Sequence, residues 1–296
     1  MKKPLAYCGN ICYNEREKWN LWGAVRHKPP MDDCKAVNSV LGRKKQTQAR
    51  AGSRSSLVVD CHSHILPKMD DGSKSVEMSL EMLRTSGQAG VDLMWATPHF
   101  YGYREGIDSF LARRQRAWDR LAPALTDDCP GIRLGAEVTL YSGLMDLEGL
   151  DRLCLDGSRI LLLEMPFTQW GGMEFEAVAS LCLDQEYQVV LAHFERFIGL
   201  QKDTRAMSRM LTLPLWVQVN AGSLCSFTTR RQAVSLFREG KAHFLGSDTH
   251  NMDRRPPNLM QGRGVLAKKL GEEFLEQLDG NYMQLLQEGK GVAQAR

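Results

Sequence analysis

The sequence predicts an α/β chain folded as a distorted, TIM-like barrel of β/α units. Three observations carry that expectation. From Leu57 onward, short apolar runs alternate with amphipathic stretches of helical period. Val, Ile and Leu fill the runs, as strands covered on both faces require. The runs number seven, which suits a closed barrel better than an open sheet.

The elements follow in order. A first strand is expected at 57–62, from its Leu-Val-Val start, and a helix at 75–89. A second strand is expected at 91–97, before a helix at 109–124, and a third at 132–138. The Ile-Leu-Leu-Leu run marks a fourth at 160–164, ahead of a helix at 174–185. Strands at 189–193, 216–220 and 243–247 complete the set, with a helix at 229–239 before the last. Beyond this alternation no internal repeat of 20–50 residues is evident.

Composition narrows the function. The chain has 296 residues, 43% hydrophobic and 25% charged, which is ordinary for a globular protein. No apolar run approaches the roughly 18 residues of a membrane span. The N-terminus has no sustained apolar region, and Glu15 and Glu17 interrupt it, so a secretory signal is not expected and the cytoplasm is. Eight irregularly spaced cysteines read as free thiols of a reducing compartment. Cys8, Cys12, His27 and Cys34 match no compact zinc-finger spacing.

Charge divides the chain. Residues 1–56 carry 12 lysines and arginines against 4 acids, whereas 57–296 carry 26 against 31. Residues 1–56 are expected to be a basic, disordered, solvated extension, with Trp19 and Trp22 available for docking. The mildly acidic body lacks the basic track a nuclease needs, so no nucleic-acid partner is expected.

The chemistry sits where the strands end. The first strand ends in Asp60-Cys61-His62-Ser63-His64 and the second in Thr97-Pro98-His99. The third ends in Gly135-Ala136-Glu137, the fourth in Glu164, and the fifth in His193-Phe194-Glu195-Arg196. The sixth ends in Asn220 and the seventh in Ser247-Asp248-Thr249-His250. In a parallel barrel all these ends share one face, and five of the seven histidines lie there. His62 and His64, two apart on an extended segment, point the same way and can close on one ion. Each residue alone has an ordinary explanation: Glu137 a salt bridge, Asp248 a helix cap, His99 a loop position. Together, Asp60, Glu137, Glu164 and Asp248 bring acids to one rim of apolar strands, which is costly unless they are paired or hold metal. Asp70-Asp71-Gly72 is either a turn or a further carboxylate beside the ions. Mixed imidazole and carboxylate donors suit zinc, iron or manganese rather than calcium.

These residues together resemble the PHP (polymerase and histidinol phosphatase) superfamily, through Asp60-x-His62-x-His64, Asp70-Asp71-Gly72, Thr97-Pro98-His99, Gly135-x-Glu137, His193-x-Glu195-Arg196 and Ser247-Asp248-x-His250. The closer resemblance is to its bacterial protein-tyrosine phosphatases of capsule and exopolysaccharide operons. It rests on residues 64–72, 219–224 and 247–251, the last leading to Arg254-Arg255-Pro256-Pro257, and it covers about residues 57–296. It implies a distorted barrel and three metal sites. His62, His64, Glu137 and Asp248 would hold the first ion, and Glu137, Glu164 and His193 the second. Asp71, His99 and His250 would hold the third, with Arg196 and Arg255 on the phosphate. It implies manganese, and a membrane-associated tyrosine autokinase as the phosphotyrosine substrate. Family members usually start within a few residues of the D-x-H-x-H motif, whereas here 56 residues precede Leu57.

The mechanism this supports is attack by a metal-activated hydroxide, with no phosphoenzyme. Asp248, His250 or a coordinated water supplies the leaving-group proton. Cys225 and Arg231 have the spacing of cysteine-dependent tyrosine phosphatases, but residues 226–230 contain no glycine for a phosphate-cradling loop. The alternatives are a histidinol-phosphatase-like phosphoesterase and a non-catalytic phosphotyrosine-binding module.

Overall fold

The computed structural model describes residues 57–155 and 157–289; the leader, with Cys8, Cys12, Trp19, Trp22, His27 and Cys34, lies outside the described residues. The expected strands form, and every strand pairing is parallel. They are β1 (Val59–Ser63), β2 (Leu93–Ala96), β3 (His99–Phe100), β4 (Gly131–Leu134) and β5 (Glu137–Thr139). They continue with β6 (Ile160–Glu164), β7 (Gln188–Leu191), β8 (Trp216–Asn220) and β9 (Phe244–Gly246). One sheet runs β1-β2-β4 and the other β3-β5-β6-β7-β8-β9.

Two expected strands are each broken in two. The run 91–97 ends as β2 at Ala96 and resumes as β3 at His99, because Pro98 has no N–H to give a ladder. The run 132–138 breaks between β4 and β5 at Gly135 and Ala136. Backbone bonds carry the path across both breaks: Thr97 N–H to the Ser63 carbonyl at 2.9 Å, Gly135 to Ala96 at 2.9 Å and Glu137 to Pro98 at 3.0 Å. Seven strand paths therefore remain, as the sequence indicates. The Asp248 N–H donates to the His62 carbonyl at 2.8 Å, and the His64 N–H to Thr249 at 2.9 Å. With the Ser63–Thr249 bridge, these bonds join the segment after β9 to β1 and close the barrel.

The expected helices form as α1 (Val76–Ala89), α2 (Ile107–Leu121), α3 (Gly172–Leu183) and α7 (Arg230–Arg238). Helix α1 starts where the Ser75 hydroxyl accepts the Met78 N–H, and it stops at Gly90, whose φ of 106° a side chain would resist. Short helices α4 (Glu195–Ile198), α5 (Arg205–Met210) and α6 (Ala221–Cys225) follow β7 and β8. Helices α8 (Leu259–Leu270) and α9 (Glu272–Glu288) end the described chain. Among the described residues no helix is long and apolar enough to cross a membrane.

Among the described residues, buried apolar side chains form two clusters. The larger includes Met82, Leu83, Leu163, Leu191 and Val219 and joins the sheet to the helices. The smaller includes Val59, Cys61, Trp95, Leu162, Ala192 and Phe244, with Tyr282 of α9 against them. The Tyr282 hydroxyl donates to the Leu245 carbonyl at 2.8 Å, which satisfies its one buried donor. On β6, Ile160 and Leu162 belong to this smaller cluster, and Glu164, next on the same face, reaches the polar end.

Candidate metal centre

Strand β1 carries the first irregularity that matters. Its register against β2 shifts between Asp60 and Ser63. Across it the pleat still alternates: Val59 and Cys61 join Trp95 and Leu162 in the smaller apolar cluster, while His62 and His64 face the acidic rim. Two other rim residues sit at positive φ: His193 at 31° and Asp248 at 52°. Few side chains accept that region, and it recurs where structure holds a functional group in place.

Four donor atoms converge. His62 Nε2 lies 3.1 Å from His64 Nε2. Glu137 Oε2 lies 3.2 Å from the first and 3.3 Å from the second. Asp248 Oδ1 lies 3.6 and 3.5 Å from the same two nitrogens. Donors about 2.1 Å from one ion stand about 3.0–3.4 Å apart across octahedral or tetrahedral angles.

The partners of the outer nitrogens decide what the inner ones present. His62 Nδ1 faces the Gln218 amide oxygen at 3.1 Å, and His64 Nδ1 faces the Asp70 carboxylate at 2.7 Å. Both partners are acceptors, so both Nδ1 atoms carry the proton. The two Nε2 atoms then face each other at 3.1 Å beside Glu137 Oε2, and although burial opposes it, Asp70 and Glu137 hold His64 well above the usual imidazole range. A cation at their centre would displace the protons that such a ring of imidazoles and carboxylates otherwise holds.

The remaining residues extend the cluster on both sides. His193 Nε2 lies 2.8 Å from Glu137 Oε1 and 3.4 Å from Glu164 Oε1. His250 Nε2, without a hydrogen-bond partner, lies 3.4 Å from Asp71 Oδ1, and His99 Nε2 lies 3.7 Å from the same oxygen. His99 also turns Nδ1 to Glu137 Oε2 at 3.0 Å, so it touches both regions. Three sets of mutually close ligand atoms result: His62, His64 and Glu137; His99, Glu137 and Glu164; and His64, Asp71, His99 and His250.

Electrostatics agree with a centre that favours positive charge. Burial alone would raise Glu137, yet His62, His99 and a hydrogen bond with His193 hold its carboxyl well below the usual range. Burial opposes protonation of His193, yet hydrogen bonds to Glu137 and Glu164 push it up to about 10. Burial and the neighbouring His64 push His250 down to about 3, which leaves its imidazole neutral.

The structure brings nine sequence-singled residues together: His62, His64, Asp71, His99, Glu137, Glu164, His193, Asp248 and His250. Arg196 and Arg255 line the same cavity, of about 770 Å³. Arg255 Nη2 lies 2.5 Å from Asp71, and Arg196 Nη1 lies 3.8 Å from Asp248. Asp60 departs from expectation. Its carboxylate accepts the Ser247 N–H at 2.8 Å, bracing β1 against the end of β9, and burial raises it to about 6 against that bond. Asp70 is a brace as well: it holds His64 and accepts the N–H groups of Gly72 and His99 at 2.8 and 2.9 Å. Cys225 is no activated nucleophile, since burial raises its thiol. The guanidinium beside it is that of Arg230, spent on the carbonyls of Leu224 and Cys225.

Sequence reasoning missed Gln218, which accepts the His193 N–H at 2.8 Å besides orienting His62 and donates to Asn220 at 2.8 Å. Asn220 in turn donates to Asp248 at 2.8 Å. The signal was present in the Trp-Val-Gln-Val-Asn run, where Gln218 and Asn220 alternate with valines. It also missed the aromatic wall of the cavity, where Tyr101 stacks on His99 at 5.2 Å and Phe167 on His193 at 6.0 Å.

The family model "Capsular polysaccharide synthesis, CpsB/CapC" matches residues 58–287. The chain belongs to the CpsB/CapC family. Among CpsB/CapC relatives, the tyrosine-protein phosphatase YwqE of Bacillus subtilis is 30% identical over 236 residues, covering 77% of this chain and 91% of the relative. The tyrosine-protein phosphatase CpsB of Streptococcus pneumoniae is 29% identical over 234 residues, covering 75% and 94%. The fold also matches a chain from the crystal structures of YwqE and CpsB, described as metal-dependent tyrosine phosphatases. That match has a TM-score of 0.66 at 26% identity and covers 78% of this chain and 95% of the other.

Proposed function

We propose that this CpsB/CapC chain is a metal-dependent protein-tyrosine phosphatase of capsular polysaccharide synthesis. The observation that carries the reading is the convergence of His62 Nε2, His64 Nε2 and Glu137 Oε2, which lie 3.1, 3.2 and 3.3 Å from one another. The phosphatase names of the relatives support it. His62, His64, Glu137 and Asp248 would hold one ion, Glu137, Glu164 and His193 a second, and Asp71, His99 and His250 a third. We propose manganese as the metal, with iron and zinc also suited to these imidazole and carboxylate donors. When bound, such ions neutralise phosphate oxygens and make a coordinated water acidic enough to attack at neutral pH.

The chain's own residues do the rest. Arg196 and Arg255 reach the cavity from α4 and from the loop after β9, where guanidinium groups grip the outer phosphate oxygens. Asp248, held ionised by the neighbouring histidines, and His250, held neutral, would serve as ligands, so water in the cavity would supply the proton to the departing phenolate. A phenol leaves with a pKa near 10, so little proton assistance is required. Tyr101 and Phe167 offer apolar faces for the tyrosine ring. We propose as substrate a phosphotyrosine protein of the cytoplasm, a tyrosine autokinase. Residues 1–56 are assigned to a basic extension outside the phosphatase domain.

The test is hydrolysis of a phosphotyrosine peptide by protein stripped of metal and refilled with manganese, beside a His193→Ala variant. Turnover should return with manganese and fall about a hundredfold or more in the variant. Turnover that survives metal removal but vanishes in Cys225→Ser would overturn the assignment. Selective hydrolysis of histidinol phosphate would move the chain to another phosphoesterase class.

A further inference from the structure

The cavity over the metal cluster is larger than a phosphate group requires. Its wall carries Arg104, Arg196, Arg254 and Arg255. Two of these have acidic neighbours in the cluster, Arg255 through Asp71 and Arg196 through Asp248. Arg104 and Arg254 differ: both are exposed, and among the described residues neither forms an ion pair. They come from separate loops, one after β3 and one after β9. The Arg104 guanidinium lies 4.7 Å from the ring centre of Tyr101 and 5.3 Å from that of Tyr103, so stacking holds it at the mouth. Tyr103 itself is 57% exposed and gives the mouth an apolar ledge.

We infer that Arg104 and Arg254 recognise acidic side chains flanking the phosphotyrosine. The inference rests on the phosphatase reading above and names the class of substrate that site prefers. The phosphate end of the cavity already has its own cations, in Arg196, Arg255 and the proposed metal sites. A peptide entering it must run its neighbouring residues past the two unpaired guanidinium groups. A carboxylate there meets a charge-assisted donor, whereas a lysine meets like charge. Each contact is solvent-exposed, so its effect is a few-fold and the pair amounts to about tenfold. Exposure also makes the preference sensitive to salt.

The experiment uses two phosphotyrosine peptides alike except for glutamates or lysines around the phosphotyrosine. Their kcat/KM values are measured on the manganese-loaded protein and on an Arg104→Gln, Arg254→Gln double variant. Binding of the matching non-hydrolysable phosphonate peptides is followed by fluorescence anisotropy. The glutamate peptide should be favoured about tenfold in both measurements. That ratio should collapse toward one in the double variant and in about 0.5 M salt. Equal rates and equal affinities for the two peptides would overturn the inference while leaving the phosphatase reading intact. Selective binding lost in the double variant, without turnover of either peptide, would sustain the inference and sink the phosphatase reading.

Discussion

Histidines show how one residue type takes different roles from its surroundings. At the rim, His62 and His64 have their Nδ1 atoms held by Gln218 and Asp70, so each turns Nε2 to the cluster. His243 lies at the other end of β9, away from the cluster. Its Nδ1 accepts the Val217 N–H at 3.0 Å, and burial pushes it down to about 4. A histidine whose folded pKa lies below its unfolded value near 6.5 stabilises fully above that value. The contribution is lost as pH falls from about 6.5 toward 4, because the unfolded chain then binds the extra proton. His243→Gln keeps an acceptor without the titration. Urea unfolding of the variant should lose part of the pH dependence between about 4 and 6.5, about 3 kcal/mol across the window. Parallel stability curves for the two proteins would refute this account of His243.

Elements place these residues by their irregularities more than by their regular parts. The breaks at Pro98 and at Gly135–Ala136 let β3 and β5 begin on His99 and Glu137, and positive φ at His193 and Asp248 marks two more rim positions. Close approach matters as much. A Cβ on Gly246 would stand 2.8 Å from His62 Cβ and 2.9 Å from Gln218 Nε2. Strand β9 can therefore pass behind the metal-facing histidine only as glycine. Gly246→Ala should cost about 1–3 kcal/mol in urea unfolding. It should also weaken metal binding, because the displaced atoms belong to His62 and to the residue that orients it. An unchanged unfolding midpoint and unchanged metal content would show that the space is not limiting.

At the scale of the whole molecule, the barrel collects charges that a folded interior tolerates only with compensation. His62, His64, Glu137, His193, Asp248 and His250 are all nearly or fully buried. A cation bound by the folded state alone stabilises it by mass action, about 2.7 kcal/mol at a hundredfold excess over Kd. For a domain of this size that is roughly 5–10 °C in Tm. Chelation should lower the melting temperature by about that much, and manganese should restore it. Identical melting with and without metal would remove the cluster as a metal cage. The same cavity is lined by His99, Glu164, His193 and Asp248 of the cluster and by Arg104 and Arg254, so the proposed chemistry and the proposed substrate choice share one face of the barrel.

The sequence by itself determined the seven strand paths and the residue types at their ends. Both follow from local rules: apolar runs need burial, and a parallel sheet puts every strand end on one face. The clustered histidines and acids were legible for that reason, down to His62 and His64 two residues apart. Only the tertiary structure decided which of those ends touch. It set Asp60 and Asp70 to brace rather than join the inner ring, and it put Gln218 behind two histidines. It also placed Arg104 and Arg254 on one cavity from loops about 150 residues apart in the chain. Such pairings depend on register shifts and barrel closure, and a one-residue slip changes the face a side chain occupies. Local pattern specifies the strands; packing between distant strands specifies the distances.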